Sequence, residues 1–281
     1  MRSLDERIRQ SRSGGPEDLW LLARDPHPDV LLNVLFNRHF NEDMAVFIAK
    51  NRNVPAEVLT LLATDRRFSD SYKLKLLLCK NPRTPQKVVF SLLKFVRIFD
   101  LSDIAKDLGV QINIRQKIEG LITERIRSMP AGMQKALARR ANAAILMAIM
   151  ACGDESVVKV CLDNPLLTEG TVCSIINRAA ASPSVIRLIS ADRKWTLRYY
   201  VRYALIRNMH APLVDVVKFI AKMKTVDLRD LYADPKLPLA TRPFIFRELL
   251  DRDVSVGPDT EEVHHLPEDD EDFLLSGEDD V

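Results

Sequence analysis

A short phrase recurs along this chain of 281 residues. It is an asparagine, then four positions on a proline or a capping residue, then an apolar run. It stands at Asn51–Pro55, Asn81–Pro85 and Asn208–Pro212, with looser copies at Asn37–Asn41 and Asn164–Thr168. An aspartate precedes it twice at one distance: Asp65 to Asn81 and Asp192 to Asn208 are both 16 residues. Repetition constrains architecture before any single motif is read, because each unit packs mainly on its neighbours. Asparagine is second to glycine as the left-handed residue that ends a helix. Proline suits the first helical turn, where its missing N–H has no intrahelical partner. The phrase therefore reads as stop, turn and start between two antiparallel helices. Thr84 and Ser182, just ahead of Pro85 and Pro183, are expected to add a capping hydroxyl.

The runs between the marks have helical spacing: Val58, Leu59, Leu61 and Leu62 after Pro55, and Val88, Val89, Leu92, Leu93 and Val96 after Pro85. No sustained alternation of period two occurs, and nine glycines with 6% aromatics argue against an all-β chain. The expectation is an all-α chain of about 15 short helices. Residues 1–15 form a leader or short helix. Helical blocks cover 16–99 and 130–250, joined by an irregular segment at 100–129, where the marks are missing and one charged helix is expected from about Asn113 to Ser128. Residues 251–281 have the composition of a disordered acidic tail.

The phrases Ala23–Val30, Ala63-Thr64-Asp65 and Asn81–Val88 resemble those of leucine-rich-variant and HEAT-like helical-repeat proteins. The resemblance extends in character over most of residues 16–250. It implies an α-α superhelix, a solenoid that serves as a docking surface. Some leucine-rich-variant proteins carry an iron–sulfur cluster on an N-terminal cysteine group. The first cysteine here is Cys79, so that cofactor is not carried over.

Charge is unevenly placed. Residues 251–281 hold 13 acidic side chains and one basic, whereas residues 1–250 carry a net charge of +14. Such asymmetry speaks of partners rather than of fold. Cys79, Cys152, Cys161 and Cys173 form no metal-ligand spacing. Read as small buried hydrophobes, they suit a reducing cytoplasm. No signal peptide is expected at the N-terminus, and Ala143–Cys152 is too short for a membrane span. No glycine-rich phosphate loop, nucleophile arrangement or metal-binding histidine pair is recognisable. No catalytic residue, cofactor or metal is therefore assigned. Asp154 and Glu155 read as helix-start residues that favour the positive end of the dipole.

The richest stretch interleaves cations with aromatics from Arg193 to Tyr203. Arg187, Arg193, Lys194, Trp195, Arg198, Tyr199 and Arg202 are the expected partner-binding residues. Arginine pairs with carboxylate or phosphate through a planar fork, and aromatic rings give flat contact area. On one continuous helix Arg198 and Arg202 would share a face, as would Tyr199 and Tyr203. Two further basic stretches hold Arg115, Lys117, Arg125, Arg127, Lys135, Arg139 and Arg140, and then Lys218, Lys222 and Lys224. In the acidic segment, Phe273, Leu274 and Leu275 form an apolar triplet suited to docking. The expected function is a non-enzymatic interaction scaffold for an acidic protein partner, modulated by its own acidic segment. The alternative is a nucleic-acid binder with a basic groove, like the HEAT-like DNA glycosylases.

Overall fold

A computed structural model describes residues 3–152, 154–178 and 181–252. Among them the chain is all-α, with 19 short helices and two 3-10 turns. The count exceeds the expected 15 because the run Arg193–Tyr203 is broken in two and because the N-terminal and connecting segments also contribute helices. The chain divides into two compact units between Ile149 and Met150.

The first unit contains α1 Leu4–Ser13, α2 Pro16–Leu22, α3 Pro28–Phe36, α4 Glu42–Lys50 and α5 Ala56–Thr64. A 3-10 turn at Arg66–Phe68 follows, then α6 Tyr72–Lys80, α7 Gln86–Leu93, α8 Ile98–Lys106, α9 Ile112–Ile126 and α10 Ala131–Ala138. Helix α11, Ala143–Met150, runs to the division. The second unit contains α12 Glu155–Asp163, α13 Glu169–Ile176, α14 Pro183–Ala191, α15 Arg193–Thr196, α16 Tyr199–Ile206, α17 Leu213–Ile220 and α18 Thr225–Ala233. A 3-10 turn at Leu239–Thr241 leads into α19 Arg242–Asp251. Packing is mostly local: α1 on α3, α4 on α6 and α8 on α9 in the first unit, and α12 on α14, α13 on α16 and α18 on α19 in the second.

The segment expected to be irregular at 100–129 is helical. Ile114, Ile118, Ile122 and Ile126 recur at four-residue spacing and bury one face of α9 against α8. Residues 4–13 are likewise a full helix of the body, opened by a capping box between Ser3 and Glu6. Cys79 and Cys161 are buried as expected, and burial pushes both thiols up to about 12. Cys152 departs from that reading: it follows the end of α11 and is exposed.

Helices of eight or nine residues leave a large share of their backbone polar groups unpaired, so their ends decide the fold. At the N-termini, Asn41, Ser71, Asp154 and Thr168 accept hydrogen bonds from the first turn. Pro16 and Pro183 occupy the first helical turn, but Pro55, Pro85, Pro130 and Pro212 stand one step earlier, as extended caps. Their carbonyls accept early helical bonds, such as Leu59 N–H to Pro55 at 3.3 Å and Val216 N–H to Pro212 at 3.0 Å. Neither expected capping hydroxyl caps its helix. Thr84 Oγ1 is buried without a hydrogen-bond partner, and the Ser182 hydroxyl lies 2.8 Å from that of Ser184.

The repeated asparagine does stop the helix, though not by left-handed backbone. Asn37, Asn51, Asn81 and Asn164 all have φ between −66° and −78° and extended ψ. The turn comes from the side chain. Its carbonyl accepts the backbone N–H two residues on: His39, Asn53, Arg83, Leu166 and, for Asn208, His210, at 2.7–3.0 Å. For three of them the structure also shows the amide reaching back to an earlier helix end. Asn81 donates to the carbonyls of Ala49 (2.8 Å) and Asn51 (2.9 Å), Asn208 to Ile176 (2.6 Å), and Asn37 to Ser11, Arg12 and Gly14.

The chain also repeats itself on a larger scale. Every element from α1 to α9 starts 127 residues before a counterpart: Leu4 and Ala131, Pro28 and Glu155, Tyr72 and Tyr199, Ile98 and Thr225, Ile112 and Leu239. The same offset relates Asn81 to Asn208, Pro85 to Pro212 and Asp65 to Asp192. It relates core residues too, such as Val58 to Val185, Val89 to Val216 and Ile118 to Ile245. Two copies of one helical series therefore follow each other. The second copy opens with α10, whereas packing divides the chain later, near the end of α11.

Replacing Asn81 by alanine removes two bonds to buried carbonyls and the side-chain turn. Net worths of about 0.5–1.5 kcal/mol per bond predict a loss of roughly 2–3 kcal/mol for Asn81→Ala, seen as a lower urea midpoint. Asn208→Ala, with one carbonyl contact, is expected to lose less.

Candidate interaction surface

The run Arg193–Tyr203 is not one helix. It breaks at Leu197, and Arg198 is the extended cap of α16, so Arg198 and Arg202 do not stand one turn apart on a common helix. Trp195 is fully buried (0% exposed), and its indole N–H donates to the Leu162 carbonyl at 3.1 Å. It is a core anchor and offers no surface to a partner. The sequence cannot separate these two roles, because a tryptophan among cations suits either.

Most of the cations here are engaged by the body itself. Lys194 donates to the Leu162 carbonyl at 2.8 Å and lies over the Trp195 ring, and Arg198 lies over the same ring 3.6 Å from Glu169. Arg202 donates to the carbonyls of Thr196 and Leu197, both at 2.9 Å, closing α15. Lys194 and Arg202 thus neutralise the electronegative ends of helices. Arg187 and Arg193 are exposed on α14 and α15. The basic stretch from Arg115 to Arg140 lies in the first unit, and that from Lys218 to Lys224 in the second. Phe273, Leu274 and Leu275 lie outside the described residues.

Tyr199 and Tyr203 do share a face, one turn apart on α16, and that face lines a groove of about 730 Å³. Tyr200, Lys224, Val226 and Asp227 complete it. Tyr200 is 68% exposed, stacked edge-on against Tyr199 with centroids 5.8 Å apart, and Val226 is 67% exposed. Arg202 and Lys224 lie 5.6 and 5.7 Å from the centre of the Tyr199 ring. Tyr200, Val226 and Asp227 were not singled out from the sequence. The signal for them is the 127-residue offset, which brings both copies into comparison.

That comparison separates frame from surface. Tyr199 donates its hydroxyl to Asp227 and accepts the Lys224 backbone N–H at 3.1 Å. Tyr72 does the same in the first copy, donating to Asp100 and accepting from Arg97 N–H at 3.1 Å. This bridge between the start of α6 or α16 and the start of α8 or α18 is common to both copies, so it is structural. The positions around it differ: Lys73, Leu76 and Phe99 in the first copy, Tyr200, Tyr203 and Val226 in the second.

Among the described residues no group of His, Cys, Asp and Glu side chains is placed to hold a metal ion, and no helix is long and apolar enough to cross a membrane. No protein-family description, curated protein or solved structure matches this chain. The fold stands as an all-helical protein of short helices packed in local pairs, in keeping with a helical repeat.

Burial first, and then the hydrogen bond to the neighbouring carboxylate, hold the Tyr72 and Tyr199 phenols above the ordinary 10.0. The folded state thus favours the neutral phenol. The stabilisation is complete below pH 10 and is lost as pH rises through the folded values. Thermal unfolding followed from pH 9 to 12 should show a drop in Tm that is smaller in the Tyr72→Phe/Tyr199→Phe double variant.

Proposed function

We propose that this chain is a non-enzymatic helical-repeat scaffold of the α-solenoid kind, HEAT-like or leucine-rich-variant in character, whose second unit docks an acidic protein partner. The observation that carries the reading is the divergence of the two copies around an unchanged frame. Where the first copy has Lys73 and Leu76, the second presents Tyr200 and Tyr203, and Arg187 stands where the first has Thr60. Exposed tyrosines supply contact area at low conformational cost, and arginines supply forked donors for carboxylates. Arg187 and Arg193 are the cations best placed for a partner, since Lys194, Arg198 and Arg202 are already engaged. The four free cysteines suit a cytoplasmic setting.

The net charge of +14 over residues 1–250 favours nucleic acid as a second reading. Part of that charge is not available to phosphate, which needs free cations. Arg67, Lys194, Arg202, Arg242 and Arg252 instead hold main-chain carbonyls.

Peptide-display selection against the full-length protein tests the reading. Wild type should enrich acidic sequences with apolar residues, and Arg187→Glu/Arg193→Glu should lose that enrichment by at least tenfold. No acidic enrichment by wild type, nor by full-length protein carrying Phe273→Ser/Leu274→Ser/Leu275→Ser, would overturn it. Anisotropy titrations with duplex and single-stranded oligonucleotides at two salt concentrations test the second reading, which predicts steep salt dependence.

A further inference from the structure

We propose that the groove formed by Tyr199, Tyr200, Tyr203, Lys224, Val226 and Asp227 is the docking site for residues 268–280 of this same chain, seated by Phe273, Leu274 and Leu275. The inference deepens the scaffold reading above: it names what covers that surface when no partner does.

The first argument is where the chain leaves the described body. Arg252 anchors the end of α19 onto the turn between α17 and α18. Its guanidinium donates to the carbonyls of Met223 (2.9 Å) and Ala221 (3.2 Å) and to Thr225 Oγ1 (3.2 Å), and it pairs with Glu248 at 2.6 Å. Lys224, between Met223 and Thr225, lines the groove. The chain therefore continues from the rim of the groove itself. Phe273 lies 21 residues beyond Arg252. A flexible chain of about 20 residues spans roughly 25 Å, so no stretching is required to return. A tether of this kind gives an effective concentration on the order of millimolar, well above what a free acidic peptide reaches.

The second argument is chemical fit. Residues 253–281 contain 12 acidic side chains and no lysine or arginine. The triplet Phe273-Leu274-Leu275 sits between Glu268–Asp272 and Glu278–Asp280. The groove offers the complementary pattern: exposed Tyr200 and Val226 for apolar side chains, with Lys224 and the neighbouring exposed Lys222 for carboxylates. The Asp227 carboxylate, the one acid in the lining, is already occupied by the Tyr199 hydroxyl. A larger cationic groove near Arg178, Arg207 and His210 lies at the opposite helix ends, between the end of α16 and the start of α17. Arg252 places the exit at the other end of α17, beside the tyrosine groove, where the three tyrosine rings offer an aromatic seat that the larger groove lacks.

The third argument comes from the duplication. The first copy keeps the Tyr72–Asp100 frame but has Lys73 where the second has Tyr200, and the residues after Arg125, the counterpart of Arg252, are not acidic. Aromatic platform and acidic continuation occur together, in the second copy.

The test uses the full-length protein with a photoreactive benzoylphenylalanine in place of Tyr200, irradiated at low micromolar concentration. Cross-links should form within single molecules and map to residues 268–280. They should fall at least fivefold in the Phe273→Ser/Leu274→Ser/Leu275→Ser variant and weaken in high salt. No cross-link to residues 253–281 would overturn the proposal, as would cross-links running between two copies of the chain. Hydrogen exchange gives an independent readout: amides of 268–280 should exchange several-fold faster in Tyr200→Ala than in wild type. Equal exchange would overturn the proposal. Internal cross-linking in wild type, with no enrichment of acidic peptides by the Phe273→Ser/Leu274→Ser/Leu275→Ser variant whose groove is left open, would retire the partner reading alone. Enrichment without internal cross-linking would retire tail docking alone.

Discussion

The capture of helix-end carbonyls by side chains from the next helices along the chain is the interaction on which this fold depends. A helix of nine residues leaves four N–H and four C=O groups without intrahelical partners, close to half its backbone hydrogen-bonding capacity. Buried, each such group costs about 1–3 kcal/mol if left unpaired. The chain meets this with a small set of donors. Asn81 and Asn208 each reach a carbonyl 32 residues back, Arg67 reaches Leu35 and Lys194 reaches Leu162 over the same separation. Gln134 closes α9 at Ile126 and Met129. Because the donor belongs to a later helix, ending one helix and stacking the next are the same event. Short helices that would not persist alone are held by their neighbours.

This explains what could be read from the sequence and what could not. The asparagine phrase marks helix ends at Asn37, Asn51, Asn81 and Asn164 because a residue that ends a helix by any route leaves the same spacing. The route itself was misread. A left-handed residue and a side-chain turn both favour asparagine, and only the dihedral angles distinguish them. The charged helix expected at 113–128 corresponds to α9, whereas α8 escapes a reading that follows punctuation, because this pair lacks the asparagine phrase. Its signal is the Ile114–Ile126 stripe, which calls for periodicity rather than turn residues. In the candidate surface, Trp195 was misplaced for a related reason. Its buried indole N–H is satisfied by the Leu162 carbonyl, which is distant in sequence and leaves no local trace. The equal spacing from Asp65 to Asn81 and from Asp192 to Asn208 was visible from the start, and it was one edge of the 127-residue repeat.

The repeat supplies a form of comparison that one sequence otherwise lacks. Positions kept in both copies, such as Tyr72 and Tyr199 or Asp100 and Asp227, make the same hydrogen bonds in both, so their retention has a structural cause. Positions that differ around that frame are free of it. The exchange of Lys73 for Tyr200 places a large ring on the surface, where it contributes little to the core. Its physical cost is exposed apolar area, and an interface is the ordinary reason for carrying such area.

Net charge is a poor guide here for the same reason that capping is central. A guanidinium bonded to main-chain carbonyls, as in Arg67, Arg202 and Arg242, counts toward the +14 of residues 1–250 but spends its donors on the negative ends of helices. The charge still contributes to the long-range field, which falls off within about 8 Å at physiological salt. What an anionic partner meets on contact is the smaller set of cations with free donors, unevenly placed on the surface. A diffuse field of this kind attracts any polyanion, whereas a lysine beside an aromatic face, as Lys224 stands beside Tyr199 and Tyr200, discriminates by shape. The acidic segment leaves the body beside such a face, so proximity and local complementarity act together there, and bulk charge alone would not have located it.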